Sequence, residues 1–312
     1  MRTLVEKYNS LNSSFDECLV YSMGHEAGFF SEYNNMVLAL LYCLERKIRF
    51  VLYSRNSNIM GIDGWRKHFL PFCEEAVDPR HQIFNYRYPQ QFSAWFRLRR
   101  HWFKKGSGIA YLTADLWREF RSKDFERRHF LIPELELSGD IRSVCRSIIE
   151  FTYRFNPVTQ AAVNKLISPV MAELPDVYAG LHVRSGDKAS EQRLLSVDEY
   201  MAKLKATAPD LRDIFVFTDD YLRFENLSDS YSGYRFRTLC QPDERGYHHC
   251  AFLAEDQSAR AQRLVNLFAS IEILASAQIF IGTFSANPGM FLGMRMNRDR
   301  VIGADYDCWG IW

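Results

Sequence analysis

The sequence has no charge excess, no paired-cysteine motif and no long apolar run, and each absence removes a class of function. Lys and Arg total 39 against 38 Asp and Glu, a formal charge of +1. No global field is therefore available to hold nucleic acid or an anionic membrane, and any anion site must be local. The seven cysteines are odd in number and form no Cys-x-x-Cys pair. That argues against a disulfide framework and a zinc ribbon and for reduced thiols. The first residues, Met-Arg-Thr-Leu-Val-Glu-Lys, lack the apolar run of a signal peptide, and no later stretch is apolar for long enough to span a bilayer. The expectation is a cytoplasmic protein with no integral membrane segment and no nucleic-acid partner. Internal repeats and low-complexity tracts are absent as well.

What is present is globular: 312 residues, 47% hydrophobic and 25% charged, enough for two domains. Residues 1 to 17 are polar and read as a frayed start. Cys18 to Met23 reads as a strand and Gly24-His-Glu-Ala-Gly28 as a turn. An amphipathic helix follows from Ser31 to Arg46, and Ile48 to Tyr53 restarts as a strand. Strand, glycine turn, helix and strand open a doubly wound α/β domain. His25 and Glu26 are candidate cleft residues, although the glycines do not fit the phosphate fingerprint. Gly61, Gly64 and Trp65 suggest a compact turn that buries an indole.

Gln91 to Lys105 reads as a helix in which Phe92, Trp95, Phe96, Trp102 and Phe103 recur at helical spacing beside Arg97, Arg99, Arg100, Lys104 and Lys105. A packed aromatic stripe beneath a solvated basic face is the simplest account; a surface for single-stranded nucleic acid or a membrane, and a lining for an acidic acceptor, are the alternatives. Ala110 to Arg121 continues helically in this reading. Helices over Ile141 to Tyr153 and Pro157 to Leu174 flank a boundary at about 155 to 175, taken as 165/166.

The second half alternates strand and helix, the pattern of a Rossmann-like domain. Its centre is Val177 to Val183, an apolar run ended by Ser185 and Gly186. Side chains alternate along a strand, so His182 and Arg184 share a side as the chain leaves the sheet, with Lys188 one loop away. Guanidinium, ammonium and glycine backbone at a strand's carboxyl end suit a diphosphate. The plainer alternative pairs Arg184 with Asp187 and makes His182 an ordinary core histidine. Helix 197 to 206, strand Ile214 to Phe217 ending in Thr218-Asp219-Asp220, strand Tyr234 to Leu239, a polar loop Gln241 to Gln257, helix Ala261 to Ala277 and strand Ile279 to Gly282 follow. Thr283 to Gly289 then turns into a helix with Ser285 as its cap, and Arg300 to Ile302 closes the sheet.

Three motifs, His182-Val-Arg184-Ser-Gly-Asp187-Lys188, Phe217-Thr-Asp-Asp220 and Gly282-Thr-Phe-Ser285, lie in this order. Together with Gly28-Phe-Phe and Gly64-Trp65 they resemble the superfamily joining α-1,6-, α-1,2- and protein O-fucosyltransferases. The resemblance implies an α/β protein of the GT-B fold, two Rossmann-like domains facing across a cleft. Residues 1–165 would form the acceptor side and 166–312 would hold the nucleotide sugar, GDP-fucose. It implies that Arg184 binds the β-phosphate, that Lys188 adds charge near the diphosphate, and that His182 lies against the nucleoside. Asp219 and Asp220 become cleft carboxylates, although either could simply cap the next helix. Ser285, Ala286 and Asn287 present helix amides to a phosphate or sugar. Glu191 falls where core α-1,6 enzymes carry a proposed general base, which would give inverting transfer to a glycan or glycoconjugate hydroxyl. The scheme needs neither metal nor other cofactor, since Arg184, Lys188 and helix amides would offset the charge on the departing diphosphate.

The departures matter. Ser185-Gly186 stands where core α-1,6 enzymes place a second arginine, which leaves the linkage open. Ser270 aligns near the carboxylate that reads guanine, a role left to Glu272 or Asn266. A GT-B transferase using another nucleotide sugar, or a catalytically silent nucleotide-sugar- or glycan-binding protein, are the competing readings. The stem and SH3 domain of the animal core enzymes have no counterpart here.

Overall fold

The computed structural model describes residues 3–24, 27–87, 92–186 and 193–311. The chain divides between Asn156 and Pro157 into two compact units, with Ile311 returning to the first. The expected division at 165/166 would have cut helix α7 (Pro157–Glu173), which lies wholly in the second unit.

In the first unit, α1 (Leu4–Asn12) precedes β1 (Cys18–Ser22), α2 (Phe29–Arg46) and β2 (Arg49–Tyr53). Then come α3 (His81–Phe84), α4 (Ala94–Gly106), β3 (Tyr111–Leu112) and α5 (Lys123–Glu126), and last the hairpin β4 (His129–Ile132) and β5 (Leu137–Asp140) and helix α6 (Ile141–Thr152). The sheet is parallel, in the order β2-β1-β3. α2 buries the face expected of it, and its last residue is followed by Lys47 in the left-handed region. Trp65 is fully buried among Tyr33, Phe69 and Phe72, with its indole N–H donating to the Leu70 carbonyl at 2.9 Å. Beneath α2, Glu32 and Arg87 form a buried ion pair at 2.7 Å.

Three expectations fail here. Residues 3–12 are not frayed: Thr3 and Glu6 form a reciprocal capping box, and Tyr8 and Asn12 are buried one turn apart. The Asn12 carboxamide also fills the edge of β2, donating to the Phe50 carbonyl at 2.9 Å and accepting from its N–H at 2.7 Å. Residues 110–121 are not one helix. Tyr111 and Leu112 pair with Leu19 and Val20, a long-range match that overrides the local pattern, and a short 3-10 turn follows. The aromatic stripe of α4 is also only half packed. Phe103 is buried, but Trp95 and Trp102 point outward.

The second unit continues with β6 (Ala179–Val183), α8 (Val197–Thr207), β7 (Asp213–Thr218), α9 (Tyr221–Ser230) and β8 (Arg235–Arg237). It ends with α10 (His249–Ala254), α11 (Gln257–Ser276), β9 (Ile279–Gly282), α12 (Asn287–Arg295) and β10 (Val301–Gly303). All five strands are parallel, in the order β10-β9-β6-β7-β8. Counted along this unit, that is the 3-2-1-4-5 winding of a Rossmann half, with β6 at the centre and buried throughout. Leu181, Val183, Ile214, Val216 and Ile281 make the core on one face with Tyr200, Met201 and Leu204 of α8. The seven cysteines are free thiols, and among the described residues no helix is long and apolar enough to cross a membrane.

Candidate functional site

In this winding the direction of strand addition reverses between β6 and β9, and a crevice opens at their carboxyl ends. Arg184-Ser-Gly186 leaves β6 there, Thr283-Phe-Ser285 leaves β9, and Ala304-Asp305 leaves β10. Arg184, Thr283, Ser285, Ala304 and Asp305 line a pocket of about 310 Å³ whose other walls include Arg193 and Tyr200.

Arg184 is held from two sides. Its Nη1 pairs with Asp219 at the end of β7, and its guanidinium lies 5.5 Å from the centre of the Tyr247 ring. Asp219 ties three segments together, because it also accepts from the Ser185 N–H at 2.8 Å and the Tyr247 N–H at 2.7 Å. Gly186 makes that convergence possible: its φ is +66°, and a Cβ there would stand 2.3 Å from the Tyr247 carbonyl oxygen. Among the described residues Asp219 is a carboxylate on Arg184; Asp187 lies outside them. Lys188, Glu191, His25 and Glu26 lie outside them too.

His182 is 2% exposed, stacks on Phe217 with ring centres 4.8 Å apart, and does not line the pocket. Burial, and secondarily the charge of Arg184, push its pKa down to about 3, so the ring is neutral. Its Nδ1 is buried without a hydrogen-bond partner. Asp220 stands apart from the pocket lining as well. It caps α9, accepting from the Leu222 N–H at 3.1 Å, and it receives the Ser185 hydroxyl at 3.2 Å. Of the two aspartates read as cleft carboxylates, one positions the arginine loop and the other is a helix cap.

The β9 turn departs from expectation in a specific way. Ser285 does not cap α12; the N-cap is Ala286, which makes no side-chain cap bond. Asp305 reaches across from the end of β10, accepting from the Phe284 N–H at 2.8 Å, the Ser285 N–H at 3.0 Å and the Ser285 hydroxyl. The Ala286 N–H donates to the Thr283 carbonyl at 3.3 Å. The amides of Ser285 and Ala286, offered to a phosphate by the sequence, are therefore filled from within the chain. Asn287 opens α12 as its first residue. Thr283 lines the pocket but is only 6% exposed, and its hydroxyl oxygen is buried without a hydrogen-bond partner.

Ser270 and the two residues named as its substitutes all have partners within the chain. Ser270 is buried inside α11, its hydroxyl donating to the Asn266 carbonyl at 3.0 Å. Both Glu272 oxygens accept from Arg295, at 2.6 and 2.7 Å, and the Asn266 side chain accepts from Gln262. Asp305-Tyr-Asp307 spells an Asp-x-Asp, but its carboxylates do not converge. Asp305 is turned to the β9 turn, and Asp307 is 92% exposed against Lys203.

Sequence reasoning missed Tyr247, Asp305, Arg193 and Tyr200. Gly246-Tyr247 in the polar loop and the carboxylate just past the last strand were the available signals. Tyr200, 1% exposed, has its hydroxyl pKa raised chiefly by burial. Arg193 lies at the rim, paired with Glu199 at 2.5 Å. Chemically, the pocket sets a positioned guanidinium on its wall, which suits an anion.

No family model matches the chain, and no curated protein does. Solved structures do. The α-1,6-fucosyltransferase NodZ, in crystals soaked with GDP-fucose, superposes with a TM-score of 0.51 at 14% identity over 90% of this chain and 93% of its own. NodZ from Bradyrhizobium gives 0.50 at 14% identity over 94% and 97%. A variant of Arabidopsis thaliana FUT1 in complex with GDP gives 0.50 at 11% identity over 98% and 77%. The architecture common to these neighbours is the GT-B fold of the fucosyltransferases, and this chain has that fold.

Proposed function

We propose that the chain is a glycosyltransferase that moves fucose from GDP-fucose to a hydroxyl of a glycan or glycoconjugate, with inversion at C1 and without a metal ion. The observation that carries this reading is the place of Arg184. It stands at the reversal point of a Rossmann-type sheet, on the pocket wall, with its guanidinium fixed by Asp219 and Tyr247. A guanidinium has five N–H donors in a planar fork, and the Asp219 carboxylate on Nη1 fixes the direction of that fork. A pyrophosphate fits that fork bidentately, and the Thr283 hydroxyl supplies a neutral partner for a further oxygen. The structural neighbours that share the fold were crystallised with GDP-fucose or GDP, which agrees with this choice of donor.

In this reading Arg184 and Lys188 offset the charge that grows on the departing GDP, and Glu191 takes the proton of the attacking hydroxyl. Asp219 acts through Arg184 and is a positioning residue. The first unit supplies the acceptor side. Because Ser270, Glu272 and Asn266 are all engaged within the chain, a donor with another base is the second reading. The test is to incubate the protein with GDP-fucose and a glycan array in the presence of EDTA, and to read products by mass spectrometry and anomeric configuration by NMR. Fucosylated product of inverted configuration is expected. Stabilisation by another nucleotide but not by GDP would transfer the assignment to that donor, and GDP binding without transfer or donor hydrolysis would leave a binding protein.

A further inference from the structure

Helix α4 carries an outward face that the candidate site does not use. Trp95, Leu98 and Trp102 recur at three- and four-residue spacing and are 67%, 46% and 60% exposed. At a rise of about 1.5 Å per residue they form an apolar ridge roughly 10 Å long. The inner face accounts for the helix's own packing: Phe96 and Phe103 lie against Phe84, and Arg100 and Lys104 both pair with Asp115. Nothing in that packing calls for two indoles on the outside.

The cations of the outward face differ from the inner ones. Arg99 and Lys105, which flank the ridge on either side, are exposed, and no ion pair to them occurs among the described residues, while the helix itself contains no acidic residue; Arg99 also lies 5.8 Å from the Phe84 ring, and the exposed Arg97 falls on the side of Lys104, away from the ridge. Lys105 lies 5.7 Å from the Trp102 ring, stem along the indole. A chain with a formal charge of +1 has thus gathered unneutralised cations around one apolar ridge. Indoles and a leucine flanked by Arg and Lys are what an interfacial helix presents to lipid, the rings at headgroup level and the cations on the phosphates. Single-stranded nucleic acid is a poorer match, because Leu98 in mid-ridge offers no stacking surface. At 13 residues the helix is suited to lie in the interface, not to cross it.

We propose that α4 docks the first unit on an anionic membrane surface, Trp95, Leu98 and Trp102 entering the interfacial layer while Arg99 and Lys105 meet acidic headgroups. The test is co-sedimentation of the full chain with phosphatidylcholine vesicles, with and without phosphatidylserine. Binding is expected to the phosphatidylserine vesicles and to fall as salt rises. Trp95→Ala with Trp102→Ala should lower partition about tenfold or more. Replacing Arg99 and Lys105 with Gln should lower it roughly fivefold per charge and flatten the salt dependence. All four altered side chains are exposed, so melting temperatures should match the parent; the salt dependence of the unaltered protein tests the idea independently. Absence of sedimentation with anionic vesicles, unchanged partition of either variant, or retention on single-stranded DNA or an acidic protein in place of vesicles would overturn the proposal.

Discussion

Replacing Asp219 with alanine removes a side-chain acceptor that joins the ends of β6 and β7 to the 241–248 loop, while the backbone bond from the Gly246 N–H to the residue-219 carbonyl at 2.7 Å remains. The carboxylate takes a hydrogen bond from the Ser185 N–H at 2.8 Å, another from the Tyr247 N–H at 2.7 Å, and the ion pair from Arg184. Bonds to a charged acceptor contribute about 1.5–3 kcal/mol each when partners are buried. Here the pair is 15% and 16% exposed, so water replaces part of what is lost. A net cost of about 3 kcal/mol follows, well below the sum of three full bonds. In a unit of about 150 residues that lowers the melting temperature by roughly 6–12 °C. Asp219→Asn keeps one acceptor oxygen and should lose about half as much. Scanning calorimetry without ligand reads the effect. If Asp219→Ala melts within about 2 °C of the parent, the carboxylate is not holding the three segments together, and the account of how Arg184 is oriented is wrong.

Acid should destabilise the protein before its carboxylates titrate. Burial above all lowers the pKa of His68 and of His81 to about 4 and that of His182 to about 3, against 6.5 in the unfolded chain. A depressed histidine contributes its stability above 6.5 and loses it as pH falls toward the folded value, at about 1.4 kcal/mol per pH unit for each group. Urea unfolding between pH 6.5 and 4 that gave a flat stability profile would refute the burial of neutral rings. Thr283→Val removes an unpartnered buried hydroxyl, so the free protein should gain about 1 kcal/mol while GDP binding weakens about tenfold; both moving in the same direction would count against Thr283 as a ligand group. Gly289→Ala would put a methyl 2.0 Å from the Thr283 carbonyl oxygen and should cost about 2–3 kcal/mol, read as a lower melting temperature. An unshifted melt would show that the β9 turn yields freely.

The strands of the second unit were legible because each is a short apolar run with a turn residue after it, and Ile279–Gly282 appears with the bounds read from sequence. Their alternation with helices then fixes a parallel sheet. Contacts between distant residues were not legible. Asp219 meets Ser185 and Tyr247 across 34 and 28 residues, and Asp305 meets Ser285 across 20; no local pattern encodes them. Local signals also misled where tertiary pairing was stronger, as when Leu112 joined β1 in place of continuing a helix. In α4 the period was right, but aromatic residues occur on both faces, and periodicity cannot say which face turns inward. The first helix is a different case: its signal is the local Thr3–Glu6 box, which prevails over the polar composition of residues 1 to 17.

Arg184 is where fold, pocket and chemistry meet, and calorimetric titration of GDP into the parent and the Arg184→Ala variant, with EDTA present, addresses it directly. Loss of a fixed, charge-assisted fork should weaken GDP about a hundredfold, with Arg184→Lys recovering only part and circular dichroism unchanged. Equal affinity in parent and variant, or a parent that does not bind GDP at all, would contradict the placement of a nucleotide diphosphate at the end of β6.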